Sequence, residues 1–220
     1  MTDWVEARPP KWRAGITEAV IDPFDAYRQA VEEALPQVRV IVDKFHAVRL
    51  ANRALDAVRR RLQREAGRRR SRHSRSVAPS RWGRALFHSR RILVKARERL
   101  GESEFDRLER ALSSDPTGQL RAAWVLKERF RDWYLAAGWQ QARAGLRRWY
   151  REVEQAEIGE FTDLARTVKA WEPGLLEHFS SGATNGPTEG ITNLIKVVKR
   201  QGFGYRNFEN FRLRVLYRCG

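Results

Sequence analysis

Two short β-branched runs, each ending in an aspartate, constrain the fold of this chain most. ITEAVID covers residues 16–22 and VRVIVD covers residues 38–43, and both have the length and composition of buried strands. Between them, apolar residues recur at helical spacing in PFDAYRQAVEEAL, and Pro36 ends that segment. A strand, a helix and a strand at this spacing predict a parallel βαβ unit. Asp22 and Asp43 then lie at the carboxyl edge of the sheet, where open α/β sheets bind ligands.

Helical patterns fill most of the chain after this unit. Apolar residues recur at helical spacing from residue 45, until GRRRSRHSRSVAPSRWGR interrupts them with glycine, serine, proline and dense arginine. We interpret this basic stretch as a loop within residues 64–84. Further helices are predicted over roughly the following ranges: 85–100, 102–113, 118–137, 140–156 and 160–179. Four tryptophans within these helices are expected to pack in a core: Trp124, Trp133, Trp149 and Trp171. The predicted fold class is mainly α with a small α/β part.

A third acid, Glu189, stands near the start of a helix that Pro187 opens. Spacing of i, i+3, i+4 and i+7 predicts a buried apolar stripe on this helix: Ile191, Leu194, Ile195 and Val198. A separate face carries polar residues: Glu189, Asn193, Lys196 and Arg200. A carboxylate that can hold Mg²⁺, beside cations that bind phosphate, suits a metal-assisted phosphodiester reaction. From the residues alone, an ordinary solvated face explains the pattern equally well, and a helix cap or turn former is the commoner role for acids placed as Asp22 and Asp43 are.

The chain is strongly basic, with a formal net charge of +16. Between residues 59 and 99, sixteen Arg or Lys side chains stand against two acids. Charge of this density favours nucleic acid as a partner, and a solvated, self-repelling linker is the alternative interpretation. The tail is both aromatic and basic, and four of its rings could either stack on unpaired bases or pack in a core: Phe203, Tyr205, Phe208 and Phe211.

Two classes of protein do not fit the sequence. The single cysteine, Cys219, rules out an internal disulfide and fits a reducing compartment. The first residues, MTDWVEARPP, lack the pattern of a signal peptide, and no apolar run reaches the ~20 residues of a membrane helix. We therefore expect a soluble, intracellular, basic protein with no membrane partner.

Two sequence blocks resemble signature segments of a known family. They are AVIDPFDAYRQAVEEALPQVRVIVDKFHAVRLANRALDAVRR and TNGPTEGITNLIKVVKRQGFGYRNFENFRLR. Both resemble bacterial insertion-sequence transposases of the ISL-three type, a group of DDE transposases, and they occur in the right order with a helical stretch between them. The resemblance extends from about Trp12 to Gly220. It implies a ribonuclease H-like core interrupted by a large all-helical insertion, in a protein of the bacterial cytoplasm that is associated with the nucleoid.

The resemblance also implies roles for individual residues. Asp22 matches the family's second catalytic aspartate and Glu189 its final glutamate, and both would bind Mg²⁺ or Mn²⁺. Asp43 and His46 match an Asp-x-x-His signature and would support the site, although a lone histidine beside Phe45 is otherwise more often a structural residue. The implied reaction is metal-dependent cleavage and transfer of DNA strands at the element's terminal repeats and target DNA. The implied assembly of the protein is a homo-oligomer. We expect these basic residues to contact DNA: Arg68, Arg69, Arg70, Lys196, Lys199, Arg200 and Arg206.

Three domains are predicted on this basis. Residues 1–46 would be a remnant of the ribonuclease H-like core, 47–180 the helical insertion with its basic loop, and 181–220 the catalytic-glutamate helix with a basic aromatic tail. Because nothing upstream of Asp22 matches the family's first aspartate, we expect an N-terminally truncated transposase that is inactive as given, which leaves its status as an enzyme open. The alternative is a non-catalytic basic nucleic-acid-binding protein derived from a transposase.

Overall fold

A parallel pair of strands organises the first part of the chain in the computed structural model, which describes residues 2–71 and 81–219, without the side chains of 67–71 and 81–84. Strand β1 (Glu18–Ile21) pairs with β2 (Arg39–Val42) from Glu18 opposite Arg39 to Ile21 opposite Val42. Helix α3 (Asp25–Ala34) makes the crossover between them. The predicted βαβ unit is therefore confirmed.

Helices form the rest of the described structure. Their bounds are α1 Thr2–Glu6, α2 Pro10–Ala14, α4 Lys44–Ser71, α5 Arg81–Val94, α6 Glu102–Ser113, α7 Gln119–Trp133, α8 Trp139–Ala156, α9 Gly159–Ala170, α10 Glu172–Ser181, α11 Gly186–Gln201 and α12 Phe208–Cys219. A short 3₁₀ turn spans Arg97–Arg99. The predicted mainly α fold with a small α/β part is confirmed, and no helix in the described ranges combines the length and apolarity that crossing a bilayer requires.

Several predicted boundaries are wrong. The predicted loop at 64–84 is helical at both ends, because α4 continues to Ser71 and α5 begins at Arg81, while residues 72–80 lie outside the described residues. Arginine is a good helix former, so a run of arginines without proline need not end a helix. The predicted helix 160–179 is two helices that meet at Trp171, where Pro173 occupies the first turn of α10.

The chain divides into two compact units, Met1–Gly182 and Ala183–Gly220. In the first unit, one core joins the end of β2 to helices α4 to α10, and Leu55, Val58 and Leu62 of α4 are fully buried in it. The four tryptophans expected to pack are all buried, which confirms that prediction. Two of them also satisfy their indole N–H groups: Trp133 donates to Ala142 O (2.6 Å) and Trp149 to Leu126 O (3.0 Å).

A glycine lets α10 approach the sheet closely. A Cβ on Gly174 would lie 3.0 Å from the Val42 side chain and 3.1 Å from the carbonyl oxygen of Val40. The helix therefore lies directly against β2, the strand that precedes Asp43. This packing fixes β2 within the core of the first unit.

The second unit consists of α11 and α12, and its apolar stripe is not buried as predicted. Val198 is buried, whereas Ile191 and Leu194 expose 47% and 39% of their surface. Two short helices can cover only one side of each other, so most of the stripe on α11 has no partner within this unit. The aromatic tail that was predicted without a secondary structure is largely helix α12.

Candidate catalytic site

The parallel register brings two aspartates to one edge of the sheet. Ile21 and Val42 are the last paired residues of β1 and β2, so Asp22 and Asp43 follow them side by side. The Asp43 N–H donates to Ile21 O at 3.0 Å and continues the ladder by one bond. The Asp43 side chain is buried, while that of Asp22 is partly exposed. Neighbouring ends of parallel strands thus place one sheltered and one accessible carboxylate together.

His46 connects these two carboxylates. Asp43 precedes α4, and its Oδ2 accepts a hydrogen bond from the His46 N–H at 3.1 Å, as in a helix N-cap. The same turn points the imidazole back, so that His46 Nδ1 lies 2.9 Å from Asp43 Oδ2 and 2.9 Å from Asp22 Oδ1. The Asp-x-x-His spacing therefore has a local cause, since three residues are what a cap needs to reach the first turn.

The two carboxylates fit a divalent cation. One imidazole nitrogen carries at most one proton, so His46 Nδ1 cannot donate a full hydrogen bond to Asp22 and Asp43 at the same time. Two carboxylates held this close repel each other, and hard divalent cations such as Mg²⁺ prefer carboxylate oxygens as ligands. Asp22, the more accessible of the two, would hold such an ion, and Asp43 and His46 would orient its carboxylate.

A tyrosine that the sequence did not indicate belongs to the surroundings of this site. Tyr134 follows α7, is buried, and its hydroxyl has no hydrogen-bond partner among the described residues. Burial raises the pKa of Tyr134, and the negative charge of Asp43 raises it further, so the hydroxyl stays protonated. The Lys44 ammonium lies 5.3 Å from the centre of the Tyr134 ring. A neutral O–H donor is therefore kept near the Asp43 carboxylate, and the described residues offer it no partner.

The remaining predicted site residues belong to the second unit or to helix α4. Glu189 is exposed in the first turn of α11, in the second unit. Lys196, Lys199 and Arg200 line a cavity of about 560 Å³ in that unit, and Arg206 is exposed. The side chains of Arg68, Arg69 and Arg70 lie outside the described residues. Within the first unit, the structure brings together Asp22, Asp43 and His46.

A basic groove between α4 and α5 was predicted only in part, because Arg60, Arg90 and Arg91 belong to the basic stretch of residues 59–99, whereas two further arginines precede it. It encloses about 530 Å³, and its exposed cations are Arg49, Arg53, Arg60, Arg90 and Arg91. Arg49 and Arg53 are four residues apart and share a face of α4, the helix that starts beside Asp43. That spacing is visible in the sequence, but the contribution of α5 depends on how the two helices pack.

Comparison with known proteins identifies the family. A family model described as transposase, of the DDE, ISL-three type, matches residues 1–215. The transposase for insertion sequence element IS1001 of Bordetella parapertussis is 29% identical over 213 residues, which are 96% of this chain and 49% of that protein. The transposase for insertion sequence element IS1557 of Mycobacterium tuberculosis is 29% identical over 205 residues, which are 88% of this chain and 46% of that protein. The chain spans about half the length of these curated relatives, and no solved structure matches it. The chain belongs to the ISL-three-type family of insertion-sequence transposases.

Proposed function

We propose that this chain acts in DNA transposition as a DDE-type transposase, binding the terminal repeats and target DNA and taking part in metal-dependent cleavage and transfer of strands. The observation that carries the proposal is the convergence of Asp22 and Asp43 on His46 Nδ1, each at 2.9 Å, in a chain of this family. The βαβ unit that holds them is proposed to belong to a ribonuclease H-like core. The division into core, helical insertion and catalytic-glutamate segment is part of the same proposal.

Each site residue has a proposed role. Asp22 and Glu189 are metal ligands, and Asp43 and His46 fix the Asp22 carboxylate in place. Bound Mg²⁺ or Mn²⁺ supplies Lewis-acid activation of the scissile phosphate. The Tyr134 hydroxyl is a donor that can bind a water or a phosphate oxygen beside Asp43.

Two groups of cations are proposed to hold the DNA backbone. One is the groove of α4 and α5, with Arg49, Arg53, Arg90 and Arg91, and the other is the face of α11 with Lys196, Lys199 and Arg200. Arg68, Arg69, Arg70 and Arg206 remain further candidates. Cations that neutralise phosphates release counterions, so affinity should fall steeply with salt. Action on paired element ends as a homo-oligomer, in the bacterial cytoplasm at the nucleoid, completes the proposal.

A cleavage assay tests the catalytic part. The chain is incubated with a labelled terminal-repeat duplex and Mg²⁺ or Mn²⁺, and strand breaks are resolved on a denaturing gel. Breaks that need the metal and disappear in Asp22→Asn and Glu189→Gln support the proposal. The matched controls are Asp25→Asn, an exposed acid paired with Arg28, and Glu209→Gln, an acid in the first turn of α12. Cleavage that survives in both site variants contradicts the proposed ligands.

The second candidate function is DNA binding without cleavage, which the basic groove of α4 and α5 favours. Metal-independent binding to terminal repeats with no strand breaks at any metal concentration would support this candidate. Replacing Arg53 by Ala should weaken binding uniformly across sequences and reduce the slope of log affinity against log salt by about one.

A further inference from the structure

Phe203 adopts an unfavourable conformation for a phenylalanine, in an unfavourable environment. Its ring is 100% exposed, and its backbone φ of 48° lies in the left-handed region that bulky residues avoid. Both features cost free energy, and neither is offset by a contact of the ring. Strained, exposed residues that the surrounding structure enforces are candidates for function.

The turn around Phe203 is built so that the ring must point outward. Gly202 packs under Tyr205 so closely that a Cβ would lie 2.4 Å from the Tyr205 ring. The Tyr205 hydroxyl donates to Val198 O at 3.3 Å, and its ring lies 5.1 Å from that of Phe211. The Phe203 N–H in turn donates to Arg200 O at 3.1 Å. Tyr205 and Phe211 thus pack within the unit, and their packing fixes the turn that exposes Phe203.

Three cations lie on one side of the exposed Phe203 ring. Lys196, Lys199 and Arg200 follow each other at i, i+3 and i+4 on α11, and with Phe203 and Gly204 they line the cavity of about 560 Å³. All three cations are exposed, and none forms an ion pair with another described residue. An aromatic face beside unpaired cations matches the two halves of a nucleotide, a base with a π-face and a phosphate.

We propose that Phe203, Lys196, Lys199 and Arg200 form a binding site for unpaired nucleotides of single-stranded DNA. A base stacks on the Phe203 ring, and the adjoining phosphates lie against the three cations. The inference rests on the proposed function in DNA transposition and adds to it that this part of the chain binds an unwound strand. In a duplex, the bases are stacked on each other, so the ring could reach a base face only by unstacking a step, which costs free energy.

A double-mutant cycle between the ring and the bases tests this site in the full chain. The probes are a labelled oligothymidine of about 12 nucleotides and a strand of equal length with abasic sugars throughout. Fluorescence anisotropy gives the affinity of the wild type and of Phe203→Ala for each probe. We expect Phe203→Ala to weaken oligothymidine binding roughly tenfold and to leave the binding of the abasic strand unchanged.

Three further variants separate stacking from other effects. Phe203→Trp should retain the affinity, whereas Phe203→Gly should lose it as Phe203→Ala does, although glycine relieves the strained backbone. Lys199→Ala should weaken binding of both probes and lower the salt slope by about one. The matched control is Tyr217→Ala, because Tyr217 is 93% exposed in the same unit but does not line the cavity.

Several results would overturn the inference. The first is that the wild-type chain does not bind oligothymidine. The second is that Phe203→Ala weakens the binding of both probes equally, or of neither. The third is that Phe203→Ala changes self-association in sedimentation while the binding of single strands stays intact. The last result would make Phe203 a protein contact. The cleavage assay on the terminal-repeat duplex, with its Asp22 and Glu189 variants, is scored separately. If the cycle shows no coupling between the Phe203 ring and the bases while cleavage is observed, this inference is rejected and the proposed function is kept.

Discussion

Helix α4 in the first unit and helix α11 in the second carry similar apolar periodicity, yet they differ in what they bury. On α4, Leu55, Val58 and Leu62 are fully buried, whereas on α11 Ile191 and Leu194 expose 47% and 39% of their surface. The helix α4 packs against α5, α7 and α9, while α11 packs against α12. Periodicity therefore identifies the apolar face of a helix, but burial depends on how many elements cover that face.

The two units also treat charge differently. The first unit holds an ion-pair network, in which Lys127 and Arg131 both contact the buried carboxylate of Glu128. The second unit leaves Lys196, Lys199 and Arg200 exposed on one face. Charges that already have partners hold a structure together, whereas exposed cations without partners can bind an anionic ligand.

The largest expected effect comes from truncating the first unit's core. Trp149 is buried, contacts the Phe130 ring at 4.9 Å and donates to Leu126 O, so Trp149→Ala removes packing and a hydrogen bond together. We expect its free energy of unfolding in urea to fall by about 4 kcal/mol. Ile191→Ala is the matched truncation on α11 and should cost about 0.5 kcal/mol or less, because the side chain is half exposed. Equal losses would refute the contrast between the units.

The next largest effect tests the buried network. Glu128→Gln keeps the side chain's shape but removes its charge, which leaves the buried Lys127 without its paired carboxylate and Arg131 with Glu98 alone. Burial lowers the pKa of Lys127, and Glu128 opposes that shift, so the ammonium depends on this carboxylate. We expect a loss of about 3 kcal/mol in urea unfolding.

The control for this network is Glu98, which also pairs with Arg131, at 2.6 Å, but is largely exposed. Glu98→Gln should cost less than about 1 kcal/mol. If both substitutions cost the same, burial is not what makes the network important.

Local patterns and long-range packing explain which parts of the structure could be predicted. The βαβ unit, with Asp22 and Asp43 at one edge, depends on short runs and their spacing, which the sequence displays directly. The turn from Asp43 to His46 is equally local. Tyr134 was missed because it reaches the site from α7, about ninety residues further along the chain, and only tertiary packing brings it there.

The exposed apolar stripe of α11 is a second feature that a local pattern could not predict. Its spacing predicted the apolar residues correctly and their burial wrongly, because a pattern within one helix does not specify the helices that cover it. The sequence also left the four tail aromatics undecided between stacking and packing. In the structure, Tyr205 and Phe211 contact each other while Phe203 is fully exposed, a division that depends on the turn at Gly202.

Two tyrosines within the first unit should have smaller and opposite effects on the free energy of unfolding. Tyr150 donates a hydrogen bond to Glu172 at 3.0 Å, whereas the buried Tyr134 hydroxyl has no partner among the described residues. Tyr150→Phe should therefore lower the free energy of unfolding by about 1 kcal/mol. Tyr134→Phe, measured in the same way without divalent metal, should raise it by about 1 kcal/mol, because it removes a buried unsatisfied group. Loss of stability in Tyr134→Phe would mean that its hydroxyl has a partner in solution.

The smallest effect is a pH dependence from an ion pair between α4 and α9. Burial is the largest single influence and raises the pKa of Glu160, but the Arg61 side chain, whose Nε donates to it at 2.8 Å, acts together with a backbone N–H and Arg64 to hold that pKa below its ordinary value of 4.5. A carboxylate with a lowered pKa in the folded state stabilises the fold above its unfolded pKa, and this contribution is lost as pH falls through the folded value.

We therefore expect Glu160→Gln to cost about 1 kcal/mol at pH 7, after allowance for solvent screening, and less at about pH 3, because the wild-type carboxyl takes up a proton as the pH falls through its lowered pKa. Urea unfolding of both proteins at the two pH values measures this difference. Glu209→Gln is the control in the second unit, because Glu209 and Arg212 pair at 3.2 Å while both are exposed. An exposed pair contributes little to stability at either pH, so the wild type and Glu209→Gln should have the same free energy of unfolding. A pH-dependent loss in Glu209→Gln as large as that in Glu160→Gln would show that helix α12 depends on its charges as much as the first unit does.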